Sequence, residues 1–356
     1  MQTEGSIARE DLFTADYPYF SSYSDSWLAH AQMFVDRMVQ QLDLGPEDLV
    51  VEIASNDGYL LQFVLSHSVQ ALGIEPTAAT ASAARERGVT TIEGFFGRRL
   101  GRELASEGQR PSLMVANNVL AHVPDINDFV AGFAELLAPD GLATFEFPHL
   151  FVLLRDGLYD TIYHEHYSYL SLGTVQRIFE RNGLRVIDVE EIPTHGGSLR
   201  VHAVHNSNDR VIAAAVGKVL EKESRTGLFT PAGYGHLQDL ADRTRAWLNR
   251  FLEDERVAGR TVMAYGAAAK GTTLLNHAQI GPGLICGVVD RNPAKQGKQI
   301  PGTGIPIHPE HVLVEVRPDT ILILPWNLRN EIAKQLSYTR EWGARLVVPL
   351  PEGHVW

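Results

Sequence analysis

The chain has 356 residues, 44% hydrophobic and 21% charged, the composition of a globular protein long enough for two domains. Its net charge of −12 and lack of a long basic run exclude nucleic acid as the main partner, because phosphate backbones attract clustered Lys and Arg. No apolar run approaches the roughly 18 residues of a membrane helix, and the single Cys286 excludes an internal disulfide framework and a thiolate-rich zinc site.

The N-terminus, MQTEGSIARED, lacks a basic-then-apolar signal pattern, so a cytoplasmic location is expected. SDSWLAHAQMFVDRMVQQL (24–42) spaces its apolar residues as a helix does, after a Ser cap. Short apolar runs bounded by turn residues then read as strands: DLVVEIA (48–54), ALGIEP (71–76), VTTIEG (89–94), LMVANNVL (113–120) and LATFEFP (142–148). Polar helical stretches separate them, such as TAATASAARERG (77–88) and NDFVAGFAELLAPDG (127–141). Strands alternating with helices predict an α/β fold with a parallel sheet covered on both faces.

After a helical TVQRIFERNG (174–183), LRVIDVEEI and SLRVHAVH face each other across PTHGG, as an antiparallel pair at the sheet edge would. A charged, periodic connector follows and reads as exposed helices. From Arg260 the alternation restarts, with RTVMAYGAAAKGTTLLNHA, LICGVVD (284–290) and TILILPW (320–326). The expected division is an aromatic segment and helix (1–45), a nucleotide-type α/β domain (46–207), a helical connector (208–259) and a second Rossmann-like α/β domain (260–356).

EIASNDGYLL (52–61) ends the first strand and opens a helix. Gly58 permits close backbone approach where helix N–H groups are available, and Glu75 ends the next strand, where a carboxylate accepts from two ribose hydroxyls. Ala54 and Asn56 stand where a dinucleotide fingerprint wants glycine, which weakens an NAD reading. The pattern resembles the first motifs of class I methyltransferases, which bind S-adenosylmethionine and need no pyrophosphate contact. Glu52, Ala54, Asn56, Gly58 and Glu75 are the candidate cofactor residues. Asn117, after strand four, and Phe95 or Phe96, after strand three, are placed to flank the ligand's two ends.

YHEHYSY (163–169) allows three readings. His164 and His166, at i and i+2, face one way on a strand, with His122 or His149 as a third metal ligand. No Cys-rich or HExxH pattern supports that, and no metal is expected. The second reading is aromatic and polar packing of a loop onto the sheet. The third is acid–base work, since imidazole titrates near neutral pH and carboxylates or phenols tune it. The loop follows strand five, where α/β sheets bind ligands, and His122 opens into the same crevice. In the second half, Lys270 at a strand–helix junction and Arg291 in VVDRNPAKQGKQIPG (288–302) can meet an anionic ligand. Helix–sheet packing explains the small residues there equally well.

Together these segments resemble the sugar C-methyltransferases of antibiotic deoxysugar pathways. The matching words are PYFSSYS (18–24), VEIASNDGYLLQ (51–62), the IYHEHYSYLS loop, THGGSLRV (194–201), AYGAAAKGTTLLN, VVDRNPAKQGKQIPG and LPWN (324–327), in the family's order. The resemblance implies a class I methyltransferase core, a C-terminal Rossmann-like domain and a nucleotide-linked 4-keto deoxysugar held between them. Carried over by position, His166 matches the proposed base, Glu165 and Tyr163 stand beside it, and His122 matches a second histidine near the reacting oxygen. Tyr19 and Tyr23 match a segment packing over the substrate, and Gly197, Arg200 and Lys270 fall on the substrate side. Family members usually begin with a small zinc domain built on paired cysteines. This chain begins after that point with no cysteine before Cys286, so zinc is not expected.

The leading expectation is S-adenosylmethionine-dependent C-methylation at a carbon acidified by a ketone. Methylation of oxygen or nitrogen on a non-sugar natural-product intermediate is the enzymatic alternative, and a non-catalytic nucleotide-binding regulator is the alternative of another class. The partner expected is a small molecule, with a nucleotide sugar as the leading candidate.

Overall fold

A computed structural model describes residues 1–3, 7–14, 20–351 and 353–355. The chain divides into two compact units, Met1–Leu150 with His164–Thr226, and Phe151–Tyr163 with Gly227–Trp356. Among the described residues, no helix is long and apolar enough to cross a membrane.

The first unit is built on seven strands: β1 (Leu49–Ile53), β2 (Gln70–Glu75), β3 (Thr90–Glu93), β4 (Leu113–Asn117), β5 (Leu142–Pro148), β6 (Leu184–Ile192) and β7 (Ser198–His205). Their order is β3-β2-β1-β4-β5-β7-β6. The first five run parallel, while β7 pairs antiparallel with both β5 and β6. The order reverses at β1, so the crevice at its carboxyl end is where such a sheet takes a ligand.

Alternation along the strands sends side chains to two faces. Val51 and Ile53 join Phe129, Phe133, Phe145 and Phe179 on one face, and Val50 and Val115 pack on the other beneath helix Asp25–Leu42. That helix buries Ala31, Phe34, Val35 and Met38, the spacing of one helical stripe. The Ser24 hydroxyl caps it by accepting the Trp27 N–H at 3.3 Å, and Asp43, at φ +52°, ends it.

The second unit carries β8 (Val262–Tyr265), β9 (Val288–Val289), β10 (Ile307–His308), β11 (Thr320–Ile323), β12 (Arg345–Val348) and β13 (His354–Val355). The order is β10-β9-β8-β11-β12-β13, parallel except for the β12–β13 pair. It again reverses at its first strand. The run read as a strand over 284–290 contributes only Val288–Val289, because its start is a turn, with the Leu284 and Ile285 N–H groups donating to the Gly281 carbonyl at 3.1 and 3.3 Å. The short strands β10 and β13 are too brief to show periodicity. Helices Ala214–Arg225 and His236–Val257 lie in the first and second units respectively.

Candidate active site

The turn after β1 carries three left-handed residues, Ala54 (φ +56°), Asn56 (φ +50°) and Gly58 (φ +76°). A glycine-like loop is thus built with one glycine. Gly58 is required as such, since a Cβ there meets Val89 at 3.1 Å and Ala84 at 3.3 Å. Ala54 N–H donates to the Ile74 carbonyl at 2.7 Å, locking the turn to β2. Glu75, at the end of β2, accepts from the Asn56 backbone N–H at 2.9 Å and from Thr77 N–H and hydroxyl at 2.9 and 2.6 Å.

Glu52, near the end of β1, is fully buried, and among the described residues neither carboxylate oxygen has a hydrogen-bond partner. Burial drives its pKa well above the ordinary 4.5; the neighbouring Tyr59 phenol opposes this, and Asp57 and Glu75 add to it. Tyr59, missed in the sequence although it directly follows Gly58, stands next to both Glu52 and Asn117. Asn117 is buried at the end of β4. Phe95 is half-buried with the Arg9 guanidinium 4.4 Å from its ring centroid. The expectation for Phe96 is corrected: its ring packs edge-on to Phe129 and Phe133 at 5.8 and 5.3 Å, inside the core.

After β4 the chain turns through Leu120–His122, which presents His122 to the 164–169 loop. His122 and His166 meet edge-on with ring centroids 4.6 Å apart. Burial lowers the His122 pKa, and the Glu165 carboxylate and backbone beside it oppose that shift. His166 is buried, with Tyr169 at 6.0 Å on one side. The loop is pinned by Tyr167 and Ser168 N–H groups donating to the Ala121 carbonyl at 2.9 and 3.2 Å, and by Thr3 N–H donating to the Tyr167 carbonyl at 3.2 Å. The Tyr167 hydroxyl donates to the Ile7 carbonyl at 2.7 Å, a structural role. His122, Glu165 and His166 therefore form one group. Tyr163, half-buried, belongs to the second unit.

The idea that His164 and His166 face one way is corrected. The segment is a turn, with His164 exposed and His166 buried. His149 is also structural: its Nε2 bonds Glu223 at 2.7 Å, and the same buried carboxylate accepts the Leu172 and Gly173 N–H groups at 2.6 and 3.0 Å. Among the described residues, no three His, Cys, Asp or Glu side chains gather as a metal set.

Arg200 is held within the first unit. It is 4% exposed, bonds Glu146 at 3.1 Å, and lies 4.6 Å from the Phe34 ring centroid. Glu146 also takes His30 at 2.9 Å and the Thr194 hydroxyl at 2.7 Å, closing an internal network. Gly197 (φ +137°) ends that turn, its carbonyl accepting from His149 N–H at 3.1 Å. Tyr23 is 52% exposed and stacked on Phe20 at 5.5 Å, while Tyr19 lies outside the described residues.

In the second unit the Lys270 ammonium donates to Asn327 Oδ1 at 2.7 Å and sits 4.7 Å from the Trp326 ring centroid. Trp326 Nε1 donates to the buried Asp160 at 2.7 Å. Lys270 is thus engaged by its own unit. Arg291 is more than half exposed, with Glu310 at 3.9 Å its nearest acid. Asp290, just after β9, accepts the Ala267 N–H at 2.7 Å.

A parallel sheet reversing at β1, a left-handed turn after that strand and a carboxylate closing β2 define a class I methyltransferase fold in the first unit. A family model described as "C-methyltransferase C-terminal domain" matches residues 193–351, and one described as "Methyltransferase domain" matches residues 27–189. The C-methyltransferase NovU of Streptomyces niveus is 36% identical over 350 residues, covering 98% of this chain and 83% of NovU. The chain belongs to this C-methyltransferase family, and its cofactor is S-adenosylmethionine. Among solved structures, magnesium protoporphyrin IX methyltransferase of Synechocystis PCC 6803 is 16% identical, covers 51% of this chain and 82% of that chain, and has a TM-score of 0.38. An S-adenosylmethionine dependent methyltransferase from Mesorhizobium loti is 15% identical, covers 49% and 99%, and has a TM-score of 0.39.

Proposed function

We propose that the protein methylates a carbon next to a ketone, on a nucleotide-linked 4-keto deoxysugar of natural-product biosynthesis, with His166 as the base. What carries this reading is the contact of His122 with His166 at 4.6 Å, with Glu165 beside His122. Removing a proton from a carbon acid requires a base and a hydrogen-bond donor for the enolate oxygen that develops. His166 takes the proton. The donor for the oxygen is His122, whose one N–H would leave the Glu165 backbone to reach it, or a phenol. Bound S-adenosylmethionine supplies an electrophilic methyl group.

The residues around the β1 turn suit that cofactor. Glu52 is a buried carboxyl without a hydrogen-bond partner among the described residues, and it suits an ammonium group. Glu75 keeps lone pairs for ribose hydroxyls, and the left-handed Ala54, Asn56 and Gly58 let the backbone come close. Asn117 and Phe95 flank the ligand. The sugar nucleotide rests on the family resemblance, with Tyr23 and Gly197 of the first unit as its contacts.

The test is hydrogen exchange at the acceptor carbon in D2O, with S-adenosylhomocysteine present so that methyl transfer is blocked. Wild-type protein should wash deuterium into the position beside the ketone, and His166→Ala should not. Methyl transfer to an oxygen with no exchange in wild-type protein would refute carbon methylation.

A further inference from the structure

Asn56 occupies a left-handed conformation that glycine adopts without steric cost. Its side chain supplies a reason for it to be there. Asn56 Oδ1 accepts the Ser21 backbone N–H at 2.8 Å, while its own backbone N–H goes to Glu75 at 2.9 Å. The buried Asp57 adds a second hold, accepting the Ser22 hydroxyl at 2.5 Å and the Ser22 N–H at 3.4 Å. Arg87 bridges the pair, 3.0 Å from Asp57 Oδ2 and 2.9 Å from Ser22 Oγ.

The clasped serines lie between Phe20 and Tyr23, whose rings stack at 5.5 Å. Ser24 then caps the next helix at Trp27, and Trp27 stacks on Tyr59 at 5.9 Å. Earlier in the chain Phe13 meets His122 edge-on at 6.0 Å, and the Thr3 hydroxyl donates to the His166 carbonyl at 3.3 Å. The described parts of the N-terminal segment therefore touch both the β1 turn and the two histidines.

We propose that Asn56 and Asp57 are positioning residues that clasp residues 20–24 onto the methyl-donor turn, coupling donor binding to docking of the aromatic pair. The proposal rests on the reading that the donor lies at the β1 turn with its ribose at Glu75. A ligand that fixes the Glu75 carboxylate fixes the backbone of Asn56, and the side chain of that same residue holds Ser21. Ordering one side lowers the entropic cost of ordering the other. The coupling is reciprocal: the factor by which the donor tightens docking equals the factor by which docking tightens the donor.

That equality is the test. Amide hydrogen exchange at Ser21 and Ser22 reads docking, and calorimetry reads affinity for S-adenosylhomocysteine. In wild-type protein the ligand should slow Ser21 exchange by about fivefold or more, the lower end of usual couplings. The Ser22→Ala variant loosens the clasp and leaves Glu75 and the hold of Arg87 on Asp57 in place. It should lose ligand affinity by that same factor. Asn56→Gly keeps the backbone conformation and should show a matching loss. Undiminished affinity in both variants despite faster Ser21 exchange overturns the proposal, as does Ser21 exchange in wild-type protein that ignores the ligand. Glu75→Gln tests the underlying reading separately: unchanged affinity in that variant places the donor elsewhere.

Discussion

His122 and His166 meet edge-on, 4.6 Å between ring centroids and 69° between planes, although they are far apart in the chain. At this distance a charge on one ring opposes a charge on the other, so the pair works best with one ring neutral. Burial lowers the His122 pKa from its ordinary 6.5, which favours the neutral form of that ring.

His166→Gln should therefore lower kcat by about 100-fold or more, the usual loss on removing a positioned base, while ligand affinity stays within about threefold. A large loss of affinity for S-adenosylhomocysteine would make the ring structural instead. The His122 shift also sets a sign. Because its folded pKa lies below 6.5, His122 stays neutral through neutral pH and gains its charge only at more acid pH. Its contribution to the acid fall of kcat/KM should lie below pH 6.5 and should disappear in His122→Gln. An acid limb unchanged by that substitution would count against the assignment.

Glu52 gives a second prediction, through proton release. Its carboxyl is held well above the usual range by burial, so it keeps its proton to higher pH than an exposed glutamate does. A cation placed against it lowers that pKa and expels the proton. Binding of S-adenosylhomocysteine, which carries an ammonium, should release protons in wild-type protein. Glu52→Gln should release none and bind about tenfold more weakly, the loss of a hydrogen bond to a charged group. Calorimetry in buffers of different ionisation enthalpy measures both. Identical proton counts in the two proteins would exclude Glu52 as the cation's partner.

Much of this site was legible because strands and turns leave local signals. The five parallel strands, the β6–β7 edge pair and the ligand end of β1 follow from short apolar runs and turn residues. The turn itself misled, since Ala54 and Asn56 look like missing glycines yet adopt glycine-like φ angles. Residue type is only a proxy for conformation, and here neighbouring hydrogen bonds hold the backbone. The internal partners of Arg200 and Lys270 were hidden because they are distant in sequence. Glu146 lies 54 residues from Arg200, and Asn327 lies 57 from Lys270. Such pairings come from sheet register and packing, which no local pattern encodes.

Glu223 shows how such a distant partner can be structural. Its fully buried carboxylate takes the His149 ring and caps the helix Leu172–Arg181 through two backbone N–H groups. Glu223→Ala leaves two helix-end donors and a buried imidazole without this acceptor, and should cost about 3 kcal/mol. Thermal unfolding should fall by several degrees even in the presence of S-adenosylhomocysteine. A variant melting with wild type would mean that the network contributes little.

Asp160 predicts a pH dependence within the second unit. It is fully buried, accepts the Trp326 indole N–H at 2.7 Å, and its pKa is raised from 3.8 to about 6. Burial is the main cause, and Lys270 and Trp326 oppose it. Between those values the folded state binds the proton that the unfolded chain has released. Stability from this group is therefore full below pH 3.8 and is lost as pH rises through about 6. The shift corresponds to about 3 kcal/mol. Asp160→Asn keeps an acceptor for the indole and removes the titration. The stability difference, wild type minus variant, should fall by that amount between pH 4 and 7, as measured by urea unfolding. A difference that stays flat across this range would mean that Asp160 remains ionised in the folded protein, its charge balanced by Lys270.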